Sequence, residues 1–236
     1  MSNVSFKRQA YDDRCDLIIC CDASKNLSGF NCYANGAVNG KLETNLIFAK
    51  SKNAPTKTKS LPTLELLSVF LAFKCLDSIL NAMTGKIDSI IICVYAQIVL
   101  SWILSKCVKR KNLFASNKVK DISKFRSHIF ETYGIEVKFK FIPTEMNPAD
   151  LVTRGLTFNK FSDNIQFWNH GPDFFNCYPI EWPEKSLSCL SNTSKLLTMS
   201  MAYDQSVSIF PIDRFSDLNK LFRVTALVFK FIGKLK

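Results

Sequence analysis

The sequence predicts an α/β domain built on a mixed β-sheet. Three observations carry that expectation: three short apolar runs joined by tight links, later apolar runs separated by helical stretches, and a 47% hydrophobic composition over 236 residues. Links too short for a crossover make the first three strands an antiparallel meander, whereas strands separated by helices are expected to run parallel. A chain of this length and composition can bury one substantial core and still carry an appendage.

Taken in order, residues 1–14 form a leader, and "DLIICCD" (16–22) reads as a buried strand ending at Asp22. "FNCYANG" (30–36) is a second strand running into a turn, and "TNLIFAK" (44–50) a third. The segment 62–81 opens with Pro62 at a helix start and is far too long for a strand. Then come a buried strand at 88–95, a short helix at 97–106, a charged amphipathic helix at 119–133 and a strand at 135–143. Asn147, Pro148 and Asp150 mark one more helix, with Asn147 as N-cap, Pro148 at the first helical position and Asp150 in the first turn.

The main domain therefore spans 15–160. An aromatic, Pro-punctuated extension follows at 161–183, and then 184–236, a polar linker leading to one helix with Ser216 as its N-cap. That helix is mostly apolar, but Lys220, Arg223 and Lys230 interrupt it too often for a membrane span, which suits an amphipathic helix awaiting a partner. The N-terminus lacks the apolar stretch of a signal peptide, so an intracellular protein is expected. Nine cysteines at irregular spacings, several inside apolar runs, read as buried thiols rather than a disulfide framework, and two histidines without a C-x-x-C pair argue against structural zinc.

A formal charge of +11 attracts polyanions. The candidate contacts are Lys50, Lys52, Lys57 and Lys59 in one loop, then Lys106, Lys109, Arg110 and Lys111 after a helix, with Arg154 beyond the last one.

Three carboxylates call for an explanation. Asp150 lies where a first-turn acid meets exposed N–H groups, which is the ordinary reason for such a residue. A helical wheel of 62–81 puts Thr63, Lys74, Asp77 and Ser78 on the solvent side and Glu65 opposite, with Val69, Ala72, Leu76 and Ile79 on the core face. Asp22 ends the first strand, where an Asx-turn is ordinary. That strand is expected to be central, so its end, the end of strand 88–95 and the start of the last helix share one sheet edge. A carboxylate cluster that binds hard cations through oxygen accounts for all three acids at once.

Five stretches then carry a family resemblance: "CDAS" (21–24), "AKSKNAPTKTKSLPTLELL" (49–67), "QIVLSWI" (97–103), "IPTEMNPADLVTRG" (142–155) and "FWNHGP…EWP" (167–183). They resemble the ribonuclease H region of BEL/Pao-type retrotransposon Pol polyproteins. "RFSDLNKLFRVTALVFKFI" (214–232) resembles the segment entering the integrase part. The resemblance implies a ribonuclease H-like mixed five-stranded sheet with flanking helices, plus a C-terminal linker and helix. It further implies Mg²⁺- or Mn²⁺-dependent cleavage of the RNA strand of an RNA–DNA hybrid, with Asp22, Glu65 and Asp150 as metal ligands of a two-metal site. The implied partners are RNA–DNA hybrid or other nucleic acid and the reverse transcriptase and integrase regions of the polyprotein, so the chain looks like a fragment. The expected location is the cytoplasm, a retroelement particle or the nucleus.

One departure stands out. The family places Asp-Ser-Gln at the end of the fourth strand, and this chain reads Tyr95, Ala96, Gln97. A neutral phenol with a pKa of about 10 is a poor ligand for a hard cation, so one metal should bind weakly and hydrolysis should be impaired. Two alternatives stand beside this reading. In one the enzyme is active and another carboxylate, such as Glu145, fills the gap; in the other the acids are structural and the chain is a non-enzymatic polyanion-binding module.

Overall fold

The computed structural model describes residues 14–55, 59–83, 87–105, 112–177 and 182. Residues 1–13 of the leader, and the linker and C-terminal helix expected at 184–236, lie outside the described residues, as do Lys57, Lys106, Lys109, Arg110 and Lys111.

A five-stranded sheet has the order β3-β2-β1-β4-β5. β1 (Cys15–Ala23), β2 (Leu27–Val38) and β3 (Lys41–Asn53) form the antiparallel meander. Its second turn is a two-residue hairpin in which Asn39 (φ 51°) and Gly40 (φ 73°) both take positive φ, the combination that matches the strands' twist. β4 (Ile87–Val94) runs parallel to β1, and β5 (Glu136–Phe141) parallel to β4. The fold is ribonuclease H-like.

Central β1 is buried on both faces, which is why its sequence reads as a continuous apolar run rather than an alternating one. Leu17, Ile19 and Cys21 face α1 (Leu61–Ala82), where Leu66, Val69, Phe73 and Leu76 meet them. Each such aliphatic side chain removed from water contributes about 1.5–3 kcal/mol. α2 (Gln97–Ser105) and α3 (Leu113–Tyr133) complete this layer. α3 begins six residues earlier than the expected 119, because Asn112 caps it by accepting the Ala115 N–H at 3.0 Å and Ala115 is buried beneath that first turn. Thr63 is buried, not on the solvent side as the wheel suggested: its hydroxyl pairs with Ser60 and accepts from the side chain of that same Asn112.

Ile18, Cys20, Ile91 and Cys93 point to the other face. There the helix expected at Asn147 shrinks to one turn, α4 (Asp150–Thr153), preceded by a 3₁₀ turn over Thr144–Met146. The aromatic extension supplies α5 (Phe158–Asp163), α6 (Ile165–His170) and a 3₁₀ turn over Asp173–Asn176. Phe175 and Trp182 seal this face, with Phe175 edge-on to Tyr33 at 5.7 Å. The extension therefore belongs to the same compact unit as the strands it covers. Among the described residues the cysteines are unpaired, with all but Cys177 buried. No helix among the described residues is long and apolar enough to cross a membrane.

Candidate active site

The site lies where β1 and β4 end side by side. Cys21 pairs with Val94, so Asp22 and Tyr95 follow at adjacent strand ends. Tyr95 is 38% exposed and packs on Phe141, its ring 6.1 Å away. Strand β4 stops at Val94, one residue short of the expected end, and leaves Tyr95 in a bend before α2.

Asp22 is held from the α4 side. Its carboxylate accepts the hydroxyl of Thr153, and the adjacent Ala23 N–H donates to it as well. Burial pushes its pKa up to about 6, with the neighbouring charge of Asp150 adding to the rise and Arg154 opposing it.

Glu65 sits in the second turn of α1 and is 6% exposed. Burial, followed by the charge of Asp22, pushes its pKa up to about 8, while the Ala96 N–H donates to its carboxylate and opposes the shift. Ala96 is the residue whose carbonyl starts α2, so Glu65 also caps that helix from a distance.

Asp150 is half-buried and its pKa is raised by burial, against which Arg154 acts by charge and by hydrogen bond. The pair is close, with Arg154 Nε 2.7 Å from Asp150 Oδ1. The turn beneath is fastened to the sheet: Asn147 donates to the Cys21 carbonyl at 3.0 Å and accepts the Ala149 N–H, and Asn31 donates to the Pro148 carbonyl. Asn147 therefore closes a turn before the helix rather than serving as its N-cap: regular helix starts at Asp150 with Ala149 as N-cap, and Pro148 falls in the turn. Gly29, opposite Asp22 on β2, lets α4 come this near, because a Cβ there would lie 2.6 Å from a methyl of Val152.

Asp22 links the other two acids: its charge raises Glu65, and the charge of Asp150 raises Asp22. Among the described residues no group of three or more His, Cys, Asp or Glu is disposed to hold a metal ion. Glu145 is exposed in its 3₁₀ turn and is not among the charges that shift the three acids. Of the basic candidates, Lys50 and Lys52 are exposed on edge strand β3, Lys59 lies over the Phe114 ring at 4.3 Å, and Arg154 is on Asp150. Sequence reasoning missed Thr153 and Gly29. The first stands three residues after Asp150 on the same turn, and the second is an unexplained Gly inside a strand, a sign of close backbone approach.

Residues 1–96 match the family model described as Pao retrotransposon-like RNaseH-like domain, in agreement with the resemblance to BEL/Pao-type Pol polyproteins. Three solved structures are similar at low identity. LC11-RNase H1, isolated from compost by a metagenomic approach, is 14% identical, with TM-score 0.40, over 57% of this chain and 88% of its own. RNase H1 from the halophilic archaeon Halobacterium salinarum is 8% identical, with TM-score 0.37, over 57% and 89%. The N-terminal RNase H domain of Rv2228c from Mycobacterium tuberculosis is 8% identical, with TM-score 0.38, over 64% and 97%. The chain matches no curated protein.

Proposed function

We propose that this domain binds an RNA–DNA hybrid and that metal-dependent hydrolysis of the RNA strand is impaired by Tyr95. The observation that carries the reading is the place of Tyr95, at the strand end beside Asp22, where the family resemblance calls for a carboxylate. Glu65 is a buried acid raised further by the charge of the partly buried Asp22, and a hard divalent cation between such groups relieves the repulsion. These two fit one cation; the phenol of Tyr95 does not complete a two-metal set, to which Asp150 adds its oxygens once Arg154 releases it. When bound, Mg²⁺ or Mn²⁺ would activate water and stabilise the leaving oxygen. The chain's own contribution is to hold Asp22 through Thr153 and to keep Glu65 dry beneath α2.

The test is Tyr95→Asp combined with Ala96→Ser, which keeps the backbone N–H that Glu65 accepts. Mg²⁺-dependent cleavage of a hybrid should rise above the parent's, and Asp150→Asn in that variant should abolish the gain while leaving hybrid binding largely intact. A folded double variant that stays inactive, or a parent that already cleaves equally fast, refutes the assignment of Tyr95.

A second reading is favoured by one feature: each acid has a structural partner, Thr153 for Asp22, the Ala96 N–H for Glu65 and Arg154 for Asp150. In that reading the domain is a non-enzymatic polyanion-binding module. It binds duplex DNA as well as hybrid, and no reversion restores cleavage.

A further inference from the structure

We infer that Arg154 is a built-in counter-cation of the acidic site and competes with a divalent metal ion for Asp150. The inference rests on the reading that Asp150 belongs to a metal site, and it adds a residue that controls occupancy. Arg154 follows α4 directly, and its N–H bonds to the Asp150 carbonyl, so its side chain rises one turn beyond the acid it pairs with. At 2.7 Å the guanidinium Nε–H engages Oδ1, one of the two oxygens the acid can offer a cation. Arg154 also acts on Asp22, and it is the cation among the charges that shift these two acids.

Helix movement cannot easily break the pair, because Asn147 and Thr153 fasten the turn to β1. The side chain of Arg154 is 52% exposed, whereas that of Asp150 is 24% exposed, so the arginine is the partner free to swing out. A divalent ion approaching Asp150 meets the repulsion of the guanidinium and a carboxylate already engaged at Oδ1, so it binds more tightly once the arginine has swung out. With its guanidinium committed to Asp150, Arg154 contributes little to phosphate contacts in the absence of metal.

The experiment titrates the full chain with Mn²⁺, read by the electron paramagnetic resonance signal of the free ion, for the parent, Arg154→Gln, Arg154→Lys and Arg154→Gln/Asp150→Asn. Circular dichroism confirms folding of each. Arg154→Gln should tighten Mn²⁺ binding about three- to tenfold, the range one partly exposed ion pair can supply. Arg154→Lys should fall between, and adding Asp150→Asn should remove the gain. Equal or weaker Mn²⁺ binding by a folded Arg154→Gln overturns the inference, as does a gain that survives removal of the Asp150 carboxylate. Hybrid binding in chelator is measured in parallel: parent binding with no Mn²⁺ gain sinks this inference alone, whereas a Mn²⁺ gain without any hybrid binding supports it and sinks the proposed function. A marked drop in hybrid affinity in chelator for Arg154→Gln would place the arginine on phosphate and overturn the competition.

Discussion

The two faces of the sheet are built by different means. On one, a 22-residue helix and two more lay an apolar stripe across β1, β2 and β4. On the other, a one-turn helix, two six-residue helices and a few aromatic side chains do the same work, with Phe175, Trp182 and Tyr33 packed ring against ring. Long periodic helices make a core that tolerates local error; a cover of short pieces depends on single large side chains and on polar fasteners such as Asn147 and Thr153. The candidate active site stands where the two meet, with Glu65 from the first layer and Asp150 from the second. It therefore inherits the weaker layer's sensitivity.

The largest effect is expected of Phe175→Ala. Phe175 is fully buried against Tyr33, Phe174 and Trp182, so its truncation should cost about 3–5 kcal/mol in denaturant unfolding, as much as Phe73→Ala on the helical face. A cost below about 1 kcal/mol would mean the second face is a loose cover rather than a core.

Next in size is a stabilising change. Glu65 is protonated in the fold up to pH about 8, well above the usual carboxylate range, so between pH 4.5 and 8 the folded state holds a proton that the unfolded state has released. Stability from this group is thus full below its unfolded pKa and is lost as pH rises through the folded one; Asp22, raised to about 6, acts in the same direction over a narrower window. In chelator, Glu65→Gln should stabilise the domain by a few kcal/mol at pH 8 and by little at pH 4.5. Urea midpoints at the two pH values decide it; a variant equally stable or weaker than the parent at the higher pH would show that the cap on Ala96 outweighs the buried charge.

Gly29→Ala probes the junction itself. The added methyl would overlap Val152 at 2.6 Å and sit 3.1 Å from the Lys50 carbonyl, so α4 must shift outward. The expected cost is about 1–3 kcal/mol. Because α4 carries both Thr153 and Asp150, the pH dependence assigned to Asp22 should change too. A drop in stability without that change would separate α4 packing from site geometry.

The same contrast governs what the sequence could disclose. Strands, their order and α1 were legible because period and length are properties of long segments: the core-face wheel positions Glu65, Val69, Ala72, Leu76 and Ile79 are all buried. Three acids at one sheet edge followed from that topology; in the fold Asp150 raises Asp22, and Asp22 raises Glu65. The start of α3 was missed because a cap such as Asn112 acts on a single turn. Thr63 was misplaced for a related reason, since a wheel knows one helix and not the neighbour that covers it. The cover by Phe175 and Trp182 has no period at all. Arg154 reads from its charge as a nucleic-acid contact, and the short turn adds what sequence alone does not fix, its pairing with Asp150.

The smallest effect on stability belongs to Lys50 and Lys52, and their worth lies elsewhere. Both are exposed on the outer strand, in register with Phe30 and Ser28, so they stand on the sheet face that carries α1. Replacing both with Gln should leave the unfolding midpoint nearly unchanged, within about 0.5 kcal/mol, because exposed charges away from caps and pairs contribute little. Their positive charge also guards an open strand edge against pairing with another chain, so light scattering at low salt serves as the control for solubility. If the β3 edge is part of the hybrid groove, the double variant should lower hybrid affinity and flatten its dependence on salt, the log–log slope falling by about 1 for each phosphate no longer neutralised. An unchanged slope would take Lys50 and Lys52 out of the groove. Among the described residues that would leave Lys59 and Arg154 as basic candidates, and Arg154 is engaged by Asp150 until a metal frees it.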